Sequence, residues 1–133
     1  MRAPARGLGV AALGELHLVH GGCACGGVSY ACEVERETCN CSCDLCRRSA
    51  GSAFQSWVNG ARQSLVVRGR TSSWQSSAHA TRHGCAHCGS PLFLFERDAP
   101  DVVEVCAGTI AAPDGITGAR QAWLEKRPGW GRA

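Results

Sequence analysis

Long apolar runs are missing from this chain of 133 residues. No stretch approaches the roughly 20 consecutive apolar residues needed to cross a bilayer, so a membrane partner is not expected. Charge of one sign is scarce as well. Fourteen Lys and Arg stand against eleven Asp and Glu, a net +3 spread along the chain. That is too little electrostatic footprint for nucleic-acid binding, which the sequence therefore does not support. Aromatic residues make up only 6%, and Trp57, Trp74, Trp123 and Trp130 are read as packing residues because no basic face interleaves with them. A convincing leader is also lacking. Between Met1 and Leu16 the apolar residues are broken by Arg2, Arg6, Gly7, Gly9, Gly14 and Glu15, a poor export signal that points to a reducing cytoplasm. Finally, no window of a dozen residues shows an apolar stripe of helical period, which excludes a helical bundle.

What is present is enough hydrophobic sequence, 44%, for one core. Residues 1–17, rich in Ala, Gly, Leu and Arg, are expected to form a loose tail, and 18–133 a single domain. Short β-like runs bounded by glycine and cysteine fill that domain: 27–34, 53–58, 64–68, 91–95 and 101–106. The expected fold is mainly β, with a turn or two of helix just after Cys46.

The abundant residue is cysteine, with ten in the chain. At that density the thiols form either a disulfide framework or metal sites, and the reducing compartment favours metal. Cys23-Ala24-Cys25 sits between Gly22 and Gly26, and Cys85-Ala86-His87-Cys88 sits between Gly84 and Gly89. They look like matching halves of one closed tetrahedral zinc site, structural in role. A second cluster, Cys39-Asn40-Cys41-Ser42-Cys43-Asp44-Leu45-Cys46, offers two arrangements. Cys41, Cys43 and Cys46 from one short loop leave a fourth position for water or a substrate sulfur; alternatively Cys39 closes the shell. Cys32 and Cys106 lie inside strand-like runs and are assigned to the core. His79, His83 and His87 are read as surface groups or neighbours of the last knuckle, not as ligands.

Four motifs in order, Gly22-Cys23-Ala24-Cys25-Gly26, Cys41-Ser42-Cys43-Asp44-Leu45-Cys46-Arg47, Gly51-Ser52-Ala53-Phe54 and Cys85-Ala86-His87-Cys88-Gly89-Ser90-Pro91-Leu92, resemble the glutathione-dependent formaldehyde-activating enzyme family, which shares its domain with a centromere protein. The resemblance runs from about His20 to Trp130. It implies an Mss4-like arrangement of coiled β-sheets organised around zinc. By position it implies a structural zinc on Cys23, Cys25, Cys85 and Cys88 and a catalytic zinc on Cys41, Cys43 and Cys46. The reaction it implies interconverts formaldehyde plus glutathione with S-hydroxymethylglutathione. This chain departs from the family pattern in two places: Ser42 stands where a His is usual, and the stretch Gln121-Ala122-Trp123 lacks a His the family often carries.

Three thiolates around a divalent ion sum to a net negative charge, which weakens its Lewis acidity unless a cation compensates. Arg47 and Arg48 follow the cluster and would offset that charge or hold a glutathione carboxylate; the plainer reading is a solvated basic pair. A carbon–sulfur lyase acting on thiol adducts of formaldehyde or a related small aldehyde is the expected function. The alternative is a zinc-stabilised protein-binding module with a fully closed second site.

Overall fold

A computed structural model describes residues 13–111 and 115–131. Most of the tail expected over 1–17 lies outside the described residues. Nine strands form one sheet: β1 (His17–Gly22), β2 (Ser29–Cys41), β3 (Gln55–Ala61), β4 (Val66–Arg68), β5 (Thr71–Gln75), β6 (Ala80–Cys85), β7 (Pro91–Glu96), β8 (Val102–Cys106) and β9 (Thr117–Ala122). The spatial order is β1-β2-β3-β8-β7-β6-β5, with β4 and β9 also pairing with β2. All pairs are antiparallel except β2 with β9.

The mainly-β expectation holds, and the apolar runs fall on β2, β3, β4, β7 and β8. Unforeseen are β1, β5, β6 and β9. β5 and β9 are largely exposed, so they lack the alternation of apolar and polar residues that marks a half-buried strand. The helix, α1 (Asp44–Ala50), begins before Cys46 rather than after it. Cys43 caps its N-terminus, Asp44 and the pair Arg47 and Arg48 complement its dipole, and Gly51 ends it at φ 63°.

Adjacent residues on a strand point to opposite faces, and here each face carries a core. Val58 pairs with Val105 and Trp57 with Cys106; the first pair joins a cluster with Tyr30, Cys32, Val34 and Phe93, the second a cluster with Cys39, Leu94 and Ala122. Burying each large apolar side chain contributes about 1.5–3 kcal/mol. Trp57 is buried as expected and Trp123 half-buried, whereas Trp74 and Trp130 are exposed rather than packed. Cys32 and Cys106 are core residues as expected.

β2 connects the two cores. Its even residues Tyr30, Cys32 and Val34 face the first, and its odd residues Cys39 and Cys41 face the second. Between them the register against β3 breaks: Val34 is opposite Gly60 and Thr38 opposite Val58. Glu35, Arg36 and Glu37 thus face Asn59 alone. Two surplus residues bend the strand without exchanging its faces.

Candidate metal centres

One thiol cluster is anchored to the first core through Cys85, with Cys25 and Cys88 exposed, and the other lies within the second core. The sulfurs of Cys23, Cys25, Cys85 and Cys88 all lie within 4.8 Å of one another. Cys23 follows β1, Cys85 ends β6, and each pair turns through a residue with positive φ, Gly26 at 79° and Gly89 at 78°. The two knuckles are matched, as the sequence suggests. Amide hydrogens point at the sulfurs: Val28 N donates to Cys23 Sγ at 3.2 Å, Gly27 N to Cys25 Sγ at 3.4 Å, and His87 N and Cys88 N to Cys85 Sγ at 3.3 and 3.4 Å.

The donor set fits a tetrahedral cation. With metal–sulfur bonds of about 2.3 Å the sulfurs of a tetrahedron stand about 3.8 Å apart; Cys23 to Cys25 is 3.5 Å and Cys25 to Cys85 is 3.8 Å. Acidity points the same way. Hydrogen bonds from Ser90 hold the Cys88 thiol down at about 5. The Gly27 amide also lowers Cys25, but its sulfur neighbours and desolvation outweigh that and push it up to about 11. Crowded thiols cannot all ionise against one another, and a divalent cation among them removes the conflict.

The second cluster comprises Cys41, Cys43 and Cys46, again with sulfurs mutually within 4.8 Å, and all three are buried. Cys41 is the last residue of β2, Cys43 the cap of α1, and Cys46 lies in the first turn of α1. Cys43 Sγ accepts from Cys46 N at 3.4 Å, so capping the helix and gathering the thiols are one structural act. Cys39 lies on the same buried face of β2, in the same core, but its sulfur is not part of the three-thiol group.

The residues around this cluster differ from those the sequence suggests. Arg47 is folded onto its own helix, donating to Ser42 O at 3.1 Å and to Asp44 Oδ1 at 2.6 Å, and Arg48 is exposed. The arginine beside the thiols is Arg82 of β6, buried, with Nη2 3.5 Å from Cys46 Sγ and Nη1 3.3 Å from Gln55 Oε1. Gln55 Nε2 in turn donates to Cys106 Sγ at 3.2 Å. No sequence signal marks Arg82, because a charged residue in a polar run reads as exposed. Ser42, fully buried, is a brace: its N donates to Ala122 O at 2.9 Å and its Oγ accepts from Arg127 Nε at 3.2 Å. Arg127 also donates to Gln121 Oε1, so the segment where the family histidine is absent is tied to the thiol loop. Of the histidines, His83 packs edge-on against Phe95, and burial followed by the Arg62 charge lowers its pKa. His79 meets Arg97 and Asp98. None of the three belongs to a thiol cluster among the described residues.

A cleft of about 270 Å³ opens on the second cluster, lined by Cys43, Asp44, Leu45, Trp123 and Lys126. Trp123 stands at φ 56°, the one non-glycine residue with positive φ among those described, and strain of this kind concentrates at functional sites. Asp44 holds the rim together. Its hydrogen bond from Arg47, then the charge of Lys126, keep its carboxyl below the usual range, and Lys126 Nζ lies 3.7 Å from it.

A family model described as glutathione-dependent formaldehyde-activating enzyme matches residues 18–126. A protein of Halomonas elongata, provisionally named a glutathione-dependent formaldehyde-activating enzyme, is 28% identical over 128 residues, covering 85% of this chain and 79% of that protein. The crystal structure of a Rhodobacter sphaeroides protein from a structural genomics programme shares the fold, with a TM-score of 0.64 at 22% identity over 77% of this chain and 99% of that one. No described helix is long and apolar enough to cross a membrane.

Proposed function

The chain belongs to the glutathione-dependent formaldehyde-activating enzyme family, and on that footing we propose that it is a cytoplasmic carbon–sulfur lyase acting on glutathione-type thiol adducts of formaldehyde or a related small aldehyde. The observation that carries this reading is the convergence of Cys41, Cys43 and Cys46 beneath a cleft that reaches Cys43. Cys23, Cys25, Cys85 and Cys88 would hold a structural zinc, and Cys41, Cys43 and Cys46 a second one with a position open. A zinc ion held there supplies Lewis acidity toward an incoming thiol sulfur or aldehyde oxygen.

The reaction forms one bond between sulfur and the carbonyl carbon, moves the carbonyl π pair onto oxygen, and delivers the thiol proton to that oxygen; reversal breaks the same bond. The chain contributes placement and exclusion of water. Trp123 and Leu45 give the cleft apolar walls around a one-carbon aldehyde, while Lys126 on its rim and the exposed Arg48 of α1 would supply cations for the carboxylates of a tripeptide thiol. Arg47 joins them only where a substrate carboxylate replaces Asp44. A closed site, which a non-catalytic binding module would have, is disfavoured by the position of Cys39 outside the three-thiol group.

Because aldehyde and thiol combine without a catalyst, the test is a rate. NMR exchange between free and adduct formaldehyde should be faster with the protein than with buffer and should return to the buffer rate with Cys43→Ser. No acceleration by protein carrying both metals would leave a binding module.

A further inference from the structure

Arg82 is 4% exposed, yet its hydrogen-bond partners are a neutral amide oxygen, Gln55 Oε1, and the sulfur of Cys46. Its Nε has no hydrogen-bond partner, and its guanidinium carbon lies 5.6 Å from the Trp57 ring centre. A buried guanidinium with neutral neighbours is strongly disfavoured, and one paired with an anion is not. A protonated thiol is a weak acceptor, whereas a metal-bound thiolate is an anion at the right place. Three thiolates and a divalent cation carry a net single negative charge, and one guanidinium balances it. Glu104 is a second buried charge on this face, in line with Arg82 across Leu94; being an anion it adds to the negative charge there, whereas the guanidinium, 3.5 Å from Cys46 Sγ, is placed to offset that of the thiolates.

We infer that Arg82 is the counter-charge of the Cys41, Cys43 and Cys46 site, a positioning residue that acts through Cys46 to make a three-thiolate metal complex electrically neutral and thus receptive to a further sulfur. This rests on reading those cysteines as metal ligands. It also assigns Gln55 a task, since its amide fixes the guanidinium with one end and turns to Cys106 with the other.

The experiment uses the full-length chain reconstituted with Co²⁺, comparing wild type with Arg82→Met, which keeps bulk, and Arg82→Lys, which keeps charge. Two cobalt ions per wild-type chain must be found first; a single ion would defeat the metal-site reading itself, independently of Arg82. Given two, Arg82→Met should weaken the second ion at least about tenfold in chelator competition, the order expected for losing a unit charge a few ångströms away in a partly shielded site. Its thiolate-to-cobalt band should move to longer wavelength, and the first ion should hold as in wild type. Arg82→Lys should restore affinity to within about threefold. A Met variant with wild-type affinity and band overturns the inference. Should the Met variant lose both ions through misfolding, the Lys variant decides: retention of the second ion supports the charge account, and its loss with the first ion still bound contradicts it.

Discussion

Serine can replace cysteine at position 43 without disturbing the helix it caps, because a serine Oγ serves the same amide at least as well as a sulfur does. Cys43→Ser should therefore give a folded protein that has lost the second metal and the acceleration of adduct exchange, and that lies within about 1 kcal/mol of wild type in urea denaturation once wild type too is stripped of that metal. Cys85 differs. It is buried in the first core and accepts two amide hydrogen bonds, so Cys85→Ser should lose the first metal and several kcal/mol of stability with it. Equal unfolding by both changes would erase the distinction between the two centres. Two further residues should govern stability at alkaline pH. Burial pushes the Cys106 thiol and the Tyr30 hydroxyl each up to about 12, from 9.0 and 10.0 respectively. Both shifts favour the protonated, folded form. Their contribution is complete below pH 9 and falls as pH climbs toward 12. Urea midpoints measured at pH 8, 9.5 and 11 should decline, less steeply in Cys106→Val; a flat profile would contradict the shifts.

At the level of elements, turns and strands place the thiols, and glycine is required for two separate reasons. A side chain at Gly26 or Gly89 would meet nothing within 4 Å, yet φ there is 79° and 78°. Alanine at either position should cost about 1–2 kcal/mol by backbone strain alone and loosen the first metal slightly. At Gly60 φ is ordinary but a β-carbon would come within 2.9 Å of Cys32 Sγ and 3.0 Å of Glu33 O. Gly60→Ala should cost a similar or larger amount through overpacking, with both metals retained by the folded fraction; thermal melts with metal analysis separate the two cases. Which elements the sequence reveals follows the same physics. The knuckles were legible because ligand spacing is local, and β3, β7 and β8 because each carries an apolar run. β5 was not, since exposed positions run along most of its length, and Arg82 was not, because its burial depends on thiols 36 to 41 positions earlier in the chain. The break in β2 is likewise invisible in Glu35-Arg36-Glu37, being defined only by the strand opposite.

Among the described residues one sheet separates two cores; the first thiol cluster stands at the edge of one, with Cys25 and Cys88 exposed, and the second is buried in the other. The first cluster has four sulfurs and backbone donors; the second has three sulfurs and a buried arginine. The proposed division of labour rests on that difference, since a complete shell resists exchange while an incomplete one can accept a ligand. The most direct test is a titration of the two-cobalt protein with glutathione, following the ligand-field and thiolate charge-transfer bands. One cobalt spectrum should change with saturation while the other stays fixed, and the change should vanish in Cys43→Ser. Two spectra that both ignore glutathione, or a single cobalt per chain, would contradict an open second centre.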